Sequence, residues 1–429
     1  MSHPAHICRF RWAGIGVRVR SLIRLASRRY RLARSGCCAV TAAAARSNSV
    51  SIRSAATDIC PNSPHRGQTD FDCAATGGVY SSLVATSGIV ALQVLHYCEF
   101  AGRLRRSGIG TAVANQRKAL AGTEIVVQTT PRIRWFVGDD QVDVLHCNLM
   151  GPRSVVLVLL ARVLGIVTVA HAHVTAEDFA GSFRGSGLLA PWLRVYLRWV
   201  YGLVDLVIAP SAYTRATLQS YPVTTQIRVL SNGVDRAAVM DDDRLGQRYR
   251  ERYDLGSGVI VGLVGNVFER KGLETFLAAA DALPHEFVWF GPYDEGVHAS
   301  SAVRAVTADP PANVTFTGWV DDIRGAYAAI DVYLFPSRAE NQGIAVLEAM
   351  ACGLPVVLSD LPVFREYYTD GSDCVIVDST EAAIAAVRWL ASDATARRRL
   401  GAAAAETAAE HDLAVVAEGL QQLYREQLR

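Results

Sequence analysis

Lysine is almost missing from this chain: of its 43 basic residues, only Lys118 and Lys271 are lysine. Together with the many alanines, that arginine bias reflects a GC-rich coding sequence and excludes no function. Acidic residues are missing from positions 1–57, which hold eleven arginines. Long apolar runs are lacking too. A bilayer-spanning helix needs about 18 or more uninterrupted apolar residues. The best run, Val155 to Ala170, is broken by Arg162 and Gly165, so no transmembrane helix is expected. Among the nine cysteines, Cys98, Cys147, Cys352 and Cys374 sit in apolar runs without a C-x-x-C or cysteine–histidine pattern. Buried free thiols in a reducing cytoplasm follow as the expectation, with no zinc site.

What is present divides the chain. Residues 1–90 are rich in Arg, Ser, Ala and Cys, lack strand or helix periodicity, and contain no apolar signal region, because SLIRLAS is interrupted by Arg24. They read as a disordered segment or an over-extended start, with the folded part opening near Val90 at VALQVLHYCEF. The rest carries charge unevenly: 15 basic against 9 acidic residues over 91–236, and 16 against 29 over 237–429. A basic first half suits an approach to an anionic membrane surface or nucleic acid, or serves solubility alone.

Short apolar runs alternate with helical stretches. Strands are predicted at Leu92–Phe100, Glu124–Thr129, Asp143–Asn148, Ile166–His173, Val204–Pro210 and Ile227–Ser231. A second series follows at Val259–Val264, Phe287–Phe290, Val314–Phe316, Val332–Phe335, Pro355–Leu358 and Cys374–Val377. That alternation defines two doubly wound, Rossmann-like α/β units. Residues 91–235 are expected to form the first, 236–257 a polar linker, 258–395 the second, and 396–429 the closing helices.

The stretch Asp331 to Asp360 packs strand, polar turn, helix and strand into thirty residues. Its helix opens at Gly343, repeats Ile344, Leu347 and Ala351 at helical spacing, and stops at Gly353 before Leu354 and Pro355. A loop at the carboxyl end of a parallel strand, running into unpaired helix N–H groups, is a ready anion site, so the turn Asn341-Gln342-Gly343 is suited to a phosphate. Glu340 lies in the loop and Glu348 inside the helix. An ionised carboxylate has only acceptors and suits a vicinal diol such as ribose. On spacing alone such a pair reads as solvated surface charge.

Four other places carry chemistry. Ser107-Gly108-Ile109-Gly110 turns into a helix predicted from Thr111 and offers N–H groups to a diphosphate, or is an ordinary strand-to-helix turn. In VAHAHVTAEDFAGSFRGS, His171 and His173 reach a strand end; no third ligand accompanies them, which argues against metal. In VGNVFERKGLETFL, Gly265 follows a strand, and Arg270 and Lys271 stand at a helix start, which by itself reads as a solvated charged turn. Arg194 and Arg198 share one face of a helix whose Trp192, Tyr196 and Trp199 line another, which suits either an anionic membrane interface or aromatic core packing. Asp241-Asp242-Asp243 falls in the predicted linker and reads as solvated charge; no metal or other cofactor is expected.

The run PSRAENQGIAVLEAMACGLPVV resembles the nucleotide-sugar signature of the family 4 glycosyltransferases, PS-x-x-E-G-x-G-x-x-x-L-E-A-M-A-x-G-x-P-V-V, and departs from it at Asn341 and Gln342, where many members have Gly-Phe. The resemblance implies a GT-B fold, two Rossmann-like domains facing across a crevice with a C-terminal helix crossing back. It implies that Glu340 contacts the donor sugar, that Glu348 holds the ribose, and that His173 meets the donor sugar or its leaving phosphate. Gly110 falls in the family's first glycine-rich loop. Gly265 falls where many members have Gly-Arg; here Asn266 replaces that Arg, leaving Arg270 and Lys271 for the diphosphate. LHYCEFAGRLRRSGIGTAVANQRKAL, VDVLHCNLMGPRS and HAHVTAEDFAGSFRGS are similar to a branch of glycolipid transferases of the diglycosyldiacylglycerol synthase type.

That branch implies a cytoplasmic enzyme, peripheral on the inner membrane face, that moves a hexosyl group with retention from a nucleotide sugar, UDP-hexose favoured, to a glycolipid. A soluble or polysaccharide acceptor is the alternative, as is a catalytically silent sugar-nucleotide-binding scaffold, which Asn266 keeps open. No nucleic acid partner is expected.

Overall fold

A computed structural model describes residues 91–137, 141–182, 185–240, 243–293 and 300–429. The segment 1–90, Arg184, Asp241 and Asp242, on which the sequence carried expectations, lie outside the described residues. Within them, 92–162 and 166–429 form one compact unit built on two parallel sheets.

The first sheet contains β1 (Leu92–Tyr97), β2 (Ile125–Gln128), β3 (Val144–Cys147), β4 (Val167–His171), β5 (Leu206–Ala209) and β6 (Gln226–Val229), in the order β2-β1-β3-β4-β5-β6. The second contains β7 (Ile260–Val264), β8 (Glu286–Phe290), β9 (Val314–Gly318), β10 (Val332–Phe335), β11 (Val356–Ser359) and β12 (Val375–Val377), in the order β12-β11-β10-β7-β8-β9. Central strands such as β3, β5, β7 and β10 are buried on both faces, which is why they read as unbroken apolar runs. All twelve predicted strands are present. The ends differ: β1 stops at Tyr97, because Phe100 turns left-handed (φ 60°) to start a short helix, and β4 stops at His171.

Helices of eight residues or more are α1 (Gly108–Leu120), α2 (Pro152–Leu164), α3 (Ser186–Tyr201), α4 (Ala212–Ser220), α5 (Asp243–Arg252), α6 (Leu273–Ala282), α7 (Ser301–Ala308), α8 (Ile344–Ala351), α9 (Thr380–Ser392), α10 (Ala394–Ala409) and α11 (Leu413–Leu428). The stretch 236–257 carries α5, whose Tyr249 enters the core of the second sheet. The last helix, α11, crosses to the first sheet, where Leu420, Leu423 and Tyr424 share one core with Val94, Leu120, Val144 and Leu206.

Parallel crossovers are right-handed. The connections β3–α2–β4 and β4–α3–β5 step the same way along the first sheet, so α2 and α3 share one side. The connection β1–α1–β2 steps back, which puts α1, and α11 packed on it, on the other. In each sheet the order reverses once, beside β1 in the first and between β7 and β10 in the second. Open α/β sheets bind ligands at the carboxyl ends of strands flanking that reversal.

Candidate active site

Two loops meet at the reversal between β7 and β10. After β7 the chain turns at Glu269–Lys271 and passes through Gly272 at φ +82°, where a Cβ would lie 2.0 Å from the Pro336 carbonyl oxygen. Only glycine allows that approach, and it lays Lys271 against the end of β10. Glu340 Oε1 pairs with the Lys271 ammonium, accepts from Ser337 Oγ at 2.8 Å, and lies 3.5 Å from Arg270 Nη1. Burial works to raise the Glu340 carboxyl, but Lys271 and Arg270 prevail and hold it below the ordinary range. Burial pulls the Lys271 ammonium down, against the pull of Glu340. Every one of these contacts falls on Oε1; among the described residues, Glu340 Oε2 accepts no hydrogen bond.

Helix α8 starts immediately after this loop. Its N-cap, Gly343, is left-handed (φ 86°) and no side chain caps the opening turn. Glu348, one turn in, is half-buried, and Tyr327 donates to its Oε2 at 2.6 Å. Burial raises the Glu348 carboxyl to about 7; the Tyr327 hydroxyl opposes the shift and Asp235 adds to it.

From the first sheet comes His173, two residues past β4. It stacks on His171 with ring centroids 4.4 Å apart, and its Nε2 lies 3.0 Å from Asn148 Oδ1. An amide oxygen only accepts, so that contact assigns the proton to Nε2 and leaves Nδ1 as an acceptor. Burial pushes the ring down to about 3, so it is neutral. Behind it runs a row of buried imidazoles: His171 stacks on His146 at 5.6 Å, His146 meets His96 edge-on at 4.5 Å, and His146 Nδ1 lies 2.6 Å from the Tyr424 hydroxyl of α11. Gln116 of α1 fixes His171 Nδ1 at 3.0 Å.

The two sheets are joined across this site by the side chains that depart from the family pattern. Asn341 donates to the His173 carbonyl at 3.0 Å and accepts from Thr175 Oγ1 at 3.0 Å, while its own carbonyl accepts from Ser211 Oγ at 2.7 Å and Thr214 Oγ1 at 3.1 Å. Gln342 accepts from the Asn232 N–H at 2.9 Å and donates to Ser231 Oγ at 2.6 Å. Arg270 completes the junction, with Nη1 2.9 Å from Asp178 and Nε donating to Ser182 Oγ at 2.9 Å.

Of the residues singled out in the sequence, His173, Arg270, Lys271, Glu340, Asn341, Gln342 and Gly343 therefore come together, with Glu348 a helical turn away. Gly265 follows β7; its N–H binds the Phe290 carbonyl and its carbonyl accepts from the Trp289 indole at 2.9 Å. Gly110 lies inside α1, which begins at Gly108, earlier than expected. Its N–H binds Ser107 Oγ, and a Cβ there would lie 2.3 Å from the Leu104 carbonyl oxygen, so close packing of the preceding turn is what requires glycine. A comparable anion site at α2 is filled by the chain itself: Glu99 accepts from the Arg153 and Ser154 N–H groups at 3.2 and 2.9 Å. Asp178, Asn148, Ser337 and Tyr327 were not picked out beforehand. Asp178 stood in the quoted strand-end run, but its partner Arg270 is remote in sequence; Tyr327 had no signal.

Comparison with known proteins identifies the family. Residues 97–238 match the model described as Glycosyltransferase Family 4, and 258–393 the model described as Glycosyl transferases group 1. The processive diacylglycerol alpha-glucosyltransferase of Acholeplasma laidlawii is 32% identical over 282 residues, 64% of this chain and 81% of the relative. The phosphatidyl-myo-inositol mannosyltransferase of Mycobacterium leprae is 30% identical over 304 residues, 68% of this chain and 76% of the relative. Among solved structures, sucrose-phosphate synthase from Thermosynechococcus elongatus aligns with TM-score 0.65 at 19% identity, over 78% of this chain and 98% of that one. Anabaena HepE, solved in complex with UDP-glucose, aligns with TM-score 0.63 at 16% identity, over 78% and 100%. The fold is that of the two-domain GT-B glycosyltransferases. The chain belongs to glycosyltransferase family 4, and it is a glycosyltransferase.

Proposed function

We propose that the protein transfers a hexosyl group, with retention of anomeric configuration, from a UDP-sugar to a glycolipid at the cytoplasmic face of a membrane. The observation that carries the reading is the convergence of Lys271, Arg270 and an uncapped helix start around Glu340, with neutral His173 joined through its carbonyl to the neighbouring Asn341. The diphosphate is held at the opening of α8, with its charge met by Lys271, Arg270 and the helix N–H groups and without a metal. As the glycosidic bond breaks, charge grows on the leaving oxygen, where fixed cations stabilise it most. The acceptor hydroxyl attacks from the face the diphosphate leaves, and a phosphate oxygen takes its proton. Glu340, ionised and with Oε2 open, accepts from a donor-sugar hydroxyl; it positions the sugar and has no proton to give. His173 accepts from the sugar through Nδ1, and Glu348 binds the ribose diol through Oε1.

The names of the relatives, which act on diacylglycerol and phosphatidylinositol lipids, support a glycolipid acceptor, and the UDP-glucose complex of the structural neighbour supports the nucleotide. The test is thermal melting with UDP and GDP, with Glu348→Ala as control. Ligand at about a hundred times its dissociation constant should add about 2.7 kcal/mol of stability. A shift with UDP that Glu348→Ala abolishes, followed by hexose transfer to a glycosyl-diacylglycerol, is the expected result. A shift with GDP alone, or no transfer to any lipid, overturns the reading.

A further inference from the structure

Among the charged groups of the donor site, Asp178 is the one the proposed reaction leaves unused. It sits on the short helix Ala176–Phe179 that follows β4, so it comes from the first sheet, whereas Arg270, Lys271 and Glu340 come from the second. That helix is tied on several sides. Thr175 Oγ1 accepts from the Asp178 N–H at 3.2 Å, and the Tyr221 hydroxyl accepts from the Ala176 N–H at 2.9 Å while donating to Glu177. Arg194 of α3 reaches the same Glu177 at 2.7 Å. Two adjacent carboxylates are thereby sent different ways: Glu177 is taken up by residues of the first half of the chain, and Asp178 is turned to the donor site, where its Oδ1 lies 2.9 Å from Arg270 Nη1.

The two partners of that ion pair are unequal. Arg270 Nε donates to Ser182 Oγ at 2.9 Å, its Nη1 donates to the Ala339 carbonyl at 3.0 Å, and its guanidinium lies 5.7 Å from the Phe268 ring, so it keeps its place without Asp178. Asp178 has no such second support. Among the described residues nothing donates to its Oδ2, and its side chain is 18% exposed rather than sealed. Glu340, the other carboxylate near that nitrogen, is kept by Lys271 and Ser337 as well. Two cations thus already face two carboxylates before any ligand arrives. A diphosphate adds negative charge to the same cations, and Asp178 is the carboxylate with least to hold it there. Burial raises its carboxyl and Arg270 opposes the rise, so an Asp178 that loses Arg270 needs another hydrogen-bond donor close by. A carboxylate that competes with the donor for a cation is costly unless it has a second use.

We infer that Asp178 is an acceptor-binding carboxylate: it holds a hydroxyl of the acceptor's head group, and the donor diphosphate frees it by drawing Arg270 away. The inference deepens the proposed reaction and rests on it for the identity of the ligand, a neutral polyol head group such as a hexose. An ionised carboxylate only accepts hydrogen bonds, so this position matches sugar hydroxyls and repels a phosphate. The acceptor is then held from the first sheet and the donor sugar from the second, through Glu340.

The experiment compares the wild type with Asp178→Asn, which keeps the shape and removes the charge, and with Glu177→Gln, which removes the neighbouring charge as a control; equal melting temperatures check folding. UDP affinity is read by calorimetry, and KM is measured for a water-soluble short-chain glycosyl-diacylglycerol at saturating UDP-hexose. A hydrogen bond to a charged group corresponds to about tenfold to a hundredfold in an equilibrium. Asp178→Asn should raise the acceptor KM by that factor, while UDP affinity holds or tightens, because Arg270 is no longer shared. Hydrolysis of UDP-hexose by water, which needs no acceptor site, should stay within about twofold, and Glu177→Gln should leave both affinities within about twofold. Weaker UDP binding in Asp178→Asn would make Asp178 a support for Arg270 and overturn the inference. An unchanged acceptor KM, or the same losses in Glu177→Gln, would overturn it too. A wild type that binds UDP but transfers hexose to no glycolipid refutes the proposed reaction instead; tighter UDP binding by Asp178→Asn would still support the release of Asp178 by the diphosphate.

Discussion

Single side chains set the chemistry by their partners. Glu348 is a half-buried carboxylate raised to about 7, so the ionised form that would accept from a ribose diol under the proposed function is partly lost at neutral pH. Affinity for a UDP-sugar, whose diphosphate diester does not titrate in this range, should fall about tenfold between pH 8 and pH 6, following the ionised fraction about that midpoint. The groups facing Glu348 are Tyr327, which stabilises the anion, and Asp235, which opposes it. Tyr327→Phe should therefore move the affinity midpoint to higher pH; calorimetric titration at several pH values measures it, and an unmoved midpoint would refute the role. Glu340 behaves oppositely. Held ionised by Lys271 and Arg270, it keeps its charge, and Glu340→Gln should lower kcat at least a hundredfold with UDP affinity changed less than about fivefold. Equal losses in both would mean that Glu340 holds the nucleotide, not the sugar.

Elements place those side chains, and here the sequence was unevenly legible. Strands were plain because a strand buried on both faces can only be apolar. Glu340, Glu348 and Lys271 were legible through the resemblance of the runs around them, since spacing alone left all three as solvated charge. What spacing could not show was where side chains went after leaving their own element. Asn341 and Gln342 looked like local departures from a pattern; they are the bonds between the sheets, and their partners Thr175, Ser211, Thr214 and Ser231 lie over a hundred positions earlier. His173 was legible as a strand-end residue, but not as an acceptor, because the proton assignment comes from Asn148. Restoring the pattern residues, Asn341→Gly with Gln342→Phe, removes several buried hydrogen bonds worth about 1 kcal/mol each. The expected outcome is a larger radius of gyration by X-ray scattering without nucleotide and a raised KM for the donor; an unchanged radius would show that these bonds do not hold the sheets together. In the turn before α6, Gly272→Ala is both left-handed and blocked by Pro336, and should lower the melting temperature and UDP affinity together.

At the scale of the molecule, the chain's end completes its first sheet. Leu420 and Tyr424 of α11 fill the core over β1, β3 and β5, so Leu420→Ala should cost about 2–5 kcal/mol, read by urea unfolding. A loss near zero would mean that the crossing helix is only appended.

The row of histidines has a consequence for acid. His96, His146, His171 and His173 are buried and neutral, their protonation pushed far down by burial. Below about pH 6.5 the unfolded chain takes up protons that the folded one refuses, so stability is present above that value and is lost as pH falls towards 3. Each ring contributes up to about 1.4 kcal/mol per pH unit, so four together cost up to about 5.6 kcal/mol for each unit of acidification, against a typical total of about 5–15 kcal/mol. Glu348, raised in the folded state, runs the other way but is one group in the other sheet. Mild acid should thus unfold the first sheet before the second, which should keep its tertiary signal: the protein is built with one half that acidification dismantles and one that it spares.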